Sequence, residues 1–77
     1  MSNKLPVVTQ REMIKYLQRK GFSIHEGKRH TILSKGNRNT MVPRHGNKEL
    51  RPGTLKTILK QADIPVDEFK RDLRRGS

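Results

Sequence analysis

The chain has 77 residues, no cysteine and a formal net charge of +11 from 18 Lys+Arg against 7 Asp+Glu, with 30% hydrophobic and 4% aromatic residues. This length predicts one domain over residues 1–77 with a small, mostly aliphatic core, and the absence of cysteine excludes disulfide staples and thiolate metal sites. No apolar run reaches the ~18 residues of a membrane span and the N-terminal residues carry no signal-peptide apolar core, so the expected compartment is the cytoplasm.

Residues 5–8, Leu-Pro-Val-Val, form an extended lead apolar enough to lie on the body of the domain. Thr9 is the natural N-cap of a first helix, and Glu12, three residues on, completes a capping box. Val8 before the cap and Met13 at the fourth helical position supply a hydrophobic staple. Met13, Ile14 and Leu17 make the buried stripe, with Tyr16 at its edge. Gly21 is the C′ residue that stops the helix.

Phe22 and Ile24 alternate with Ser23 and His25, which predicts a strand over 22–26. Glu26-Gly27-Lys28-Arg29 is the turn into a second strand over 30–34, with Gly27 its structural turn residue. Gly36-Asn37-Arg38-Asn39 is a loop rich in turn formers, and a third strand over 40–42 ends at Pro43. Residues 44–53 form a polar connection. Leu55, Ile58, Leu59 and Ala62 fall at i, i+3, i+4 and i+7 and define a second helix that starts at either Pro52 or Thr54. Asp63 to Pro65 breaks it. Val66 opens a final short helix with acids in its first turn at Asp67 and Glu68, anchored by Phe69 and Leu73. The order α-β-β-β-α plus a terminal helix predicts an α+β fold, a three-stranded antiparallel meander packed on helices.

The charge is unevenly placed: residues 1–62 hold 14 basic and 3 acidic residues, while residues 63–77 hold 4 of each. Such a field favours a polyanionic partner, above all nucleic acid. One face of the sheet must pack on the helices, which leaves the other face or the hairpin rim for that partner. His30 stands at this rim beside Lys28 and Arg29, and Arg38, Arg44, His45 and Lys48 in neighbouring loops are expected to complete a basic, RNA-binding cleft. RNA cleavage needs little more than this. A histidine near its natural pKa takes the 2′-hydroxyl proton or protonates the leaving oxygen, and fixed cations stabilise the charge growing on phosphorus. No metal or other cofactor is expected, since His25, His30 and His45 lack ligand spacing and the acids are scattered. Tyr16, Phe22 and Phe69 fall at core positions and offer no stacking platform for single strands.

By residue type and spacing alone, His30 is more often an ordinary strand-end histidine, His45 a loop hydrogen-bonder and His25 a solvated strand residue. These observations reach a basic, RNA-facing module and stop short of catalysis. A non-catalytic RNA-binding module and a small ribosome-associated protein fit the same composition.

Several blocks in order go further: Leu5-Pro6-Val7-Val8, the helix ending Lys20-Gly21-Phe22, Gly27-Lys28-Arg29-His30 before an apolar strand, Val42-Pro43-Arg44-His45-Gly46-Asn47-Lys48-Glu49-Leu50, and Arg51-Pro52-Gly53-Thr54-Leu55-Lys56-Thr57-Ile58-Leu59-Lys60-Gln61-Ala62 followed by Glu68-Phe69. Over residues 5–73 the chain resembles the HicA family of bacterial toxins, small RNA-cleaving proteins of type II toxin–antitoxin systems. The resemblance implies a double-stranded-RNA-binding-domain-like fold and ribosome-independent cleavage of mRNA with His30 as the essential residue. It also implies a HicB-type antitoxin that covers the site, with any specific DNA binding left to that antitoxin. One departure stands out. Many members carry a small residue, often serine, directly before the histidine, where this chain has Arg29 preceded by Lys28.

Overall fold

Thr9, extended at φ −83° and ψ 167°, accepts a hydrogen bond through its hydroxyl from the Glu12 amide at 3.1 Å, while its own amide donates to Glu12 Oε1 at 2.8 Å. In this computed structural model, which describes residues 5–43 and 48–74, that capping box starts α1 (Gln10–Arg19). Two of the orphan amides at the helix entrance are thereby satisfied reciprocally. Gly21 ends the helix at φ +101°, so that its N–H reaches the Gln18 carbonyl and the Phe22 N–H reaches the Leu17 carbonyl, each at 3.0 Å. A side chain at that φ would be strained, which is why glycine occupies the position.

Three antiparallel strands follow in the order β1 (Ser23–Glu26), β2 (His30–Lys35), β3 (Arg38–Pro43). Phe22 is spent on the end of α1, so β1 begins one residue later than its alternation predicts. The expected loop at 36–39 is shorter than its composition implies. Lys35 pairs with Arg38 and Ser34 with Asn39, which leaves Gly36-Asn37 as a two-residue hairpin with Gly36 at φ +60°. The inward-facing residues Thr31, Leu33, Thr40 and Val42 are all buried. Thr40, the polar member at the centre, is satisfied by donating its hydroxyl to Gln61 Oε1 at 2.9 Å.

The entry to β2 is a close turn. The Gly27 amide donates to the His30 carbonyl at 2.8 Å, and a Cβ on Gly27 would lie 2.9 Å from that same oxygen. Only glycine fits so close to a fixed backbone atom.

The second helix, α2 (Pro52–Gln61), starts at Pro52 rather than at Thr54. Arg51 is its N-cap without a side-chain cap bond, and proline at the first turn gives up an amide that has no intrahelical partner. The connection before it is less polar than expected. Leu50 is buried, its amide donates to the Val8 carbonyl at 2.9 Å, and the Gln10 amide donates to the Lys48 carbonyl at 3.2 Å. The N-terminal lead thus pairs with residues 48–50 rather than merely lying on the surface.

The last helix, α3 (Val66–Arg74), covers Tyr16. Phe69, fully buried, meets the Tyr16 ring edge-on at 5.1 Å and 79°. Tyr16 is a core residue, deeper than the edge of the expected stripe, while Ile14, expected within that stripe, is only half-buried. Tyr16 Oη donates to Asp72 Oδ2 at 2.7 Å, and Lys20 Nζ reaches Glu68 Oε2 at 2.6 Å and Asp72 Oδ2 at 3.1 Å. Burial and the Asp72 carboxylate push the Tyr16 hydroxyl well above the usual phenol range. Hydrogen bonds from Tyr16 and Lys20 hold Asp72 below the usual carboxylate range, and those to Glu68 and Asp72 raise Lys20. Helix, three antiparallel strands and two helices make an α+β fold with the double-stranded-RNA-binding-domain-like arrangement.

Two measurements check this account of the packing. Gly27→Ala forces a methyl against the His30 carbonyl and lowers stability to urea by about 1–3 kcal/mol. Asp72→Asn weakens the α3 tie by about 0.5–1 kcal/mol at neutral pH, a partly exposed ion pair being screened by water. Because the Asp72 pKa is depressed by folding, its contribution is complete above about pH 4 and is lost as pH falls through the lower folded value. Wild type and Asp72→Asn therefore converge in acid.

Candidate nucleic-acid interface

The β1–β2 turn pins the backbone of His30 from one side and the pairing of His30 with Pro43 on β3 holds it from the other. Alternation then sets the side chains. Thr31 turns toward the helices and is buried, and His30 lies on the opposite, solvent side and is exposed. Lys28 and Arg29, on the turn itself, are exposed as well. An imidazole and two cations thus sit on three consecutive positions of a rigid hairpin rim.

Beside this rim runs a groove. Its first part, about 640 Å³, lies between Arg11, Ile14 and Lys15 on α1 and Glu26, Thr31 and Pro43 on the sheet. Its second part, about 410 Å³, continues past Pro43 to Lys48, Leu50 and Arg51. Gln10 and Pro43 line both parts, so the two join at the strand end where His30 is paired. Arg11 and Lys15 stand one helical turn apart on the same side of α1. With Lys48 and Arg51 they give the groove four cations against the two carboxylates of Glu26 and Glu49.

The residues named from the sequence divide into three groups. Gly27, Lys28, Arg29 and His30 come together at the turn, and Lys48 lies on the adjoining groove. Arg38 does not join them. It stands opposite Lys35 at the far end of the sheet, five residues along β2 from His30, a separation of about 16 Å at the rise of an extended strand. It is also engaged there, with its guanidinium 2.7 Å from Asp63 Oδ2. The reason is the short Gly36-Asn37 hairpin, which makes Arg38 a strand residue at the opposite edge. Arg44 and His45 lie outside the described residues.

Sequence reasoning missed Arg11, Lys15 and Arg51. The signal was present in the i, i+4 spacing of Arg11 and Lys15 on the polar side of α1, a side that was judged only by what it left out of the core. Arg51 carried no such signal, since its place depends on where α2 begins. Among the described residues no three His, Cys, Asp or Glu side chains gather as a metal-ligand set. No helix among them is long and apolar enough to cross a membrane.

Comparison with known proteins places the chain in a family. A family described as the HicA toxin of bacterial toxin–antitoxin systems matches residues 10–64, which run from the first residue of α1 through the end of α2. Searches of curated proteins and of solved structures returned no match. The match spans well over half of the chain and includes the hairpin, the groove and both long helices, and on that ground the protein belongs to the HicA family of toxins of bacterial toxin–antitoxin systems.

Proposed function

We propose that the protein is an endoribonuclease that cuts mRNA in the cytoplasm without the ribosome or a metal ion, and that a HicB-type antitoxin neutralises it. The observation that carries this reading is the exposed His30, fixed at the start of β2 directly after Lys28 and Arg29 and beside a basic groove. Membership of a toxin–antitoxin family adds a cognate antitoxin as partner.

In this reading the RNA backbone lies along the groove against Arg11, Lys15, Lys48 and Arg51, and Lys28 and Arg29 hold the phosphate to be cut. The 2′-hydroxyl of the substrate is the nucleophile. His30 acts on the proton inventory of the step, taking the 2′-hydroxyl proton or delivering one to the leaving 5′-oxygen, as imidazole does near neutral pH. The two turn cations stabilise the extra negative charge on the pentacoordinate phosphorus. Their strength depends on approach to within hydrogen-bond distance, which a rim position allows because neither side chain is buried.

Induced expression of the protein is expected to stop growth, and His30→Ala to abolish the effect while leaving the purified protein folded by circular dichroism. Continued toxicity of a folded His30→Ala protein would sink the assignment. Cleavage of RNA by the wild type persists in EDTA, whereas loss that a divalent ion restores would count against the metal-free step. RNA that stays intact with clean, folded wild-type protein would leave a binding module instead of a nuclease.

Lys28→Ala and Arg29→Ala each lower RNA affinity more than Lys70→Ala, which lies on α3 among the acids, and each reduces the slope of log K against log salt by about one counterion. Filter-binding titrations at several salt concentrations read both quantities. Equal losses for all three variants would show that the hairpin is not where RNA binds.

A further inference from the structure

The open face of the sheet holds a second histidine. His25 pairs with Ile32 across β1 and β2, and His30 precedes Ile32 by two residues, so alternation puts both imidazoles on the side turned away from the helices. Positions related in this way have Cα atoms about 7–8 Å apart with side chains closer still, within reach of aromatic rings. Both histidines are exposed. The rest of this face is Ser23, Ile32, Ser34, Asn39, Met41 and Pro43, none of which ionises near neutrality, and Ser34 is already engaged in donating to Asn39 Oδ1 at 2.7 Å. Glu26, the neighbouring carboxylate, faces the groove on the other side with Thr31. Among the described residues of this face, His25 and His30 are therefore the side chains of a type that serves as general acid or base.

We propose that His25 is the second proton-transfer residue of RNA cleavage, an inference that rests on the nuclease reading of His30. In-line displacement puts the entering O2′ and the leaving O5′ on opposite sides of phosphorus. One imidazole cannot hold good geometry to both, while two rings on adjacent strands can each lie about 3 Å from one of them. As the O2′–P bond forms, one neutral imidazole takes the 2′-hydroxyl proton. As the P–O5′ bond breaks, the other, protonated, gives its proton to O5′. The products are a 2′,3′-cyclic phosphate and a free 5′-hydroxyl, and solvent restores the two protonation states.

The test compares wild type, His25→Gln and His30→Gln on a natural oligoribonucleotide and on the same strand with sulfur replacing the bridging O5′ at the cleaved linkage. A thiolate leaves without a proton. Both variants are expected to fold and to cut the natural strand at least about 100-fold more slowly. On the sulfur-bridged strand, one and only one of them regains a rate close to wild type. His25→Gln cutting the natural strand at full rate, equal losses on both strands for both variants, or rescue of His45→Gln in place of either would overturn the inference. A wild-type protein that cuts neither strand would instead remove the nuclease reading on which it rests.

Discussion

Leu33, at the centre of the middle strand and fully buried, fixes which way everything on β2 points. The side-chain period of a strand is two, so a slip of one residue would turn Leu33 to solvent and carry His30 into the core. The register is held on both sides, by Ile24 opposite Leu33 on β1 and Thr40 on β3. A core of this size has little redundancy. Its apolar floor is made of single side chains, and the same alternation that buries them presents His25 and His30 together on the other face. Core and candidate site are thus one specification, and neither face of β2 can change phase without the other.

A net charge of +11 on so small a body works against compactness through self-repulsion. The acids are placed to offset this where cations must be held. Glu12 closes the cap of α1, Asp63 meets Arg38, and Glu68 with Asp72 grips Lys20. Among the described residues the ion pairs fall on Lys20 and Arg38 and not on Lys28, Arg29, Lys48 or Arg51. These ion pairs thus lie where α3 docks and on the distal hairpin, away from the groove and the β1–β2 turn. Asp63 takes φ 59° to end α2, a conformation a non-glycine residue adopts at some cost, and in return it sits within reach of Arg38.

Local signals carried most of the architecture. Thr9 with Glu12, Gly21 after Lys20 and the apolar quartet of α2 are short-range patterns, and each produced the element it predicts. What escaped was decided by partners distant in sequence. Ile14 read as part of the buried stripe of α1 because nothing nearby announces that Phe69 will pack against Tyr16 and draw that edge of the helix inward. Leu50 looked like a lone apolar residue in a loop until the Val8 carbonyl supplied its hydrogen bond. Arg38 was hidden among three turn formers, of which the hairpin uses only Gly36 and Asn37. The site followed the same division. The run from Gly27 to His30 was visible because it is contiguous, whereas Arg11, Lys15 and Arg51 join it only through the packing of α1 and the start of α2. Whether a histidine does chemistry is not written in spacing at all, since that depends on what approaches it.

A site built on an exposed strand has consequences for how it is used and how it is stopped. On the proposed nuclease reading, the exposure of His30 means that desolvation contributes little and the rate comes from holding a long polyanion in register against fixed cations. Such binding is spread over many phosphates, each modest and each sensitive to salt. On the same reading it follows backbone shape more than base identity, because the described part of the groove offers ammonium and guanidinium groups and no exposed aromatic platform. An inhibitor of this surface gains nothing from a plug-shaped side chain. It has to cover the hairpin rim and the neighbouring sheet face as an area, and to carry enough negative charge to replace the RNA along the groove. On that reading, the geometry suited to binding RNA is the same geometry that calls for an antagonist with a broad acidic surface.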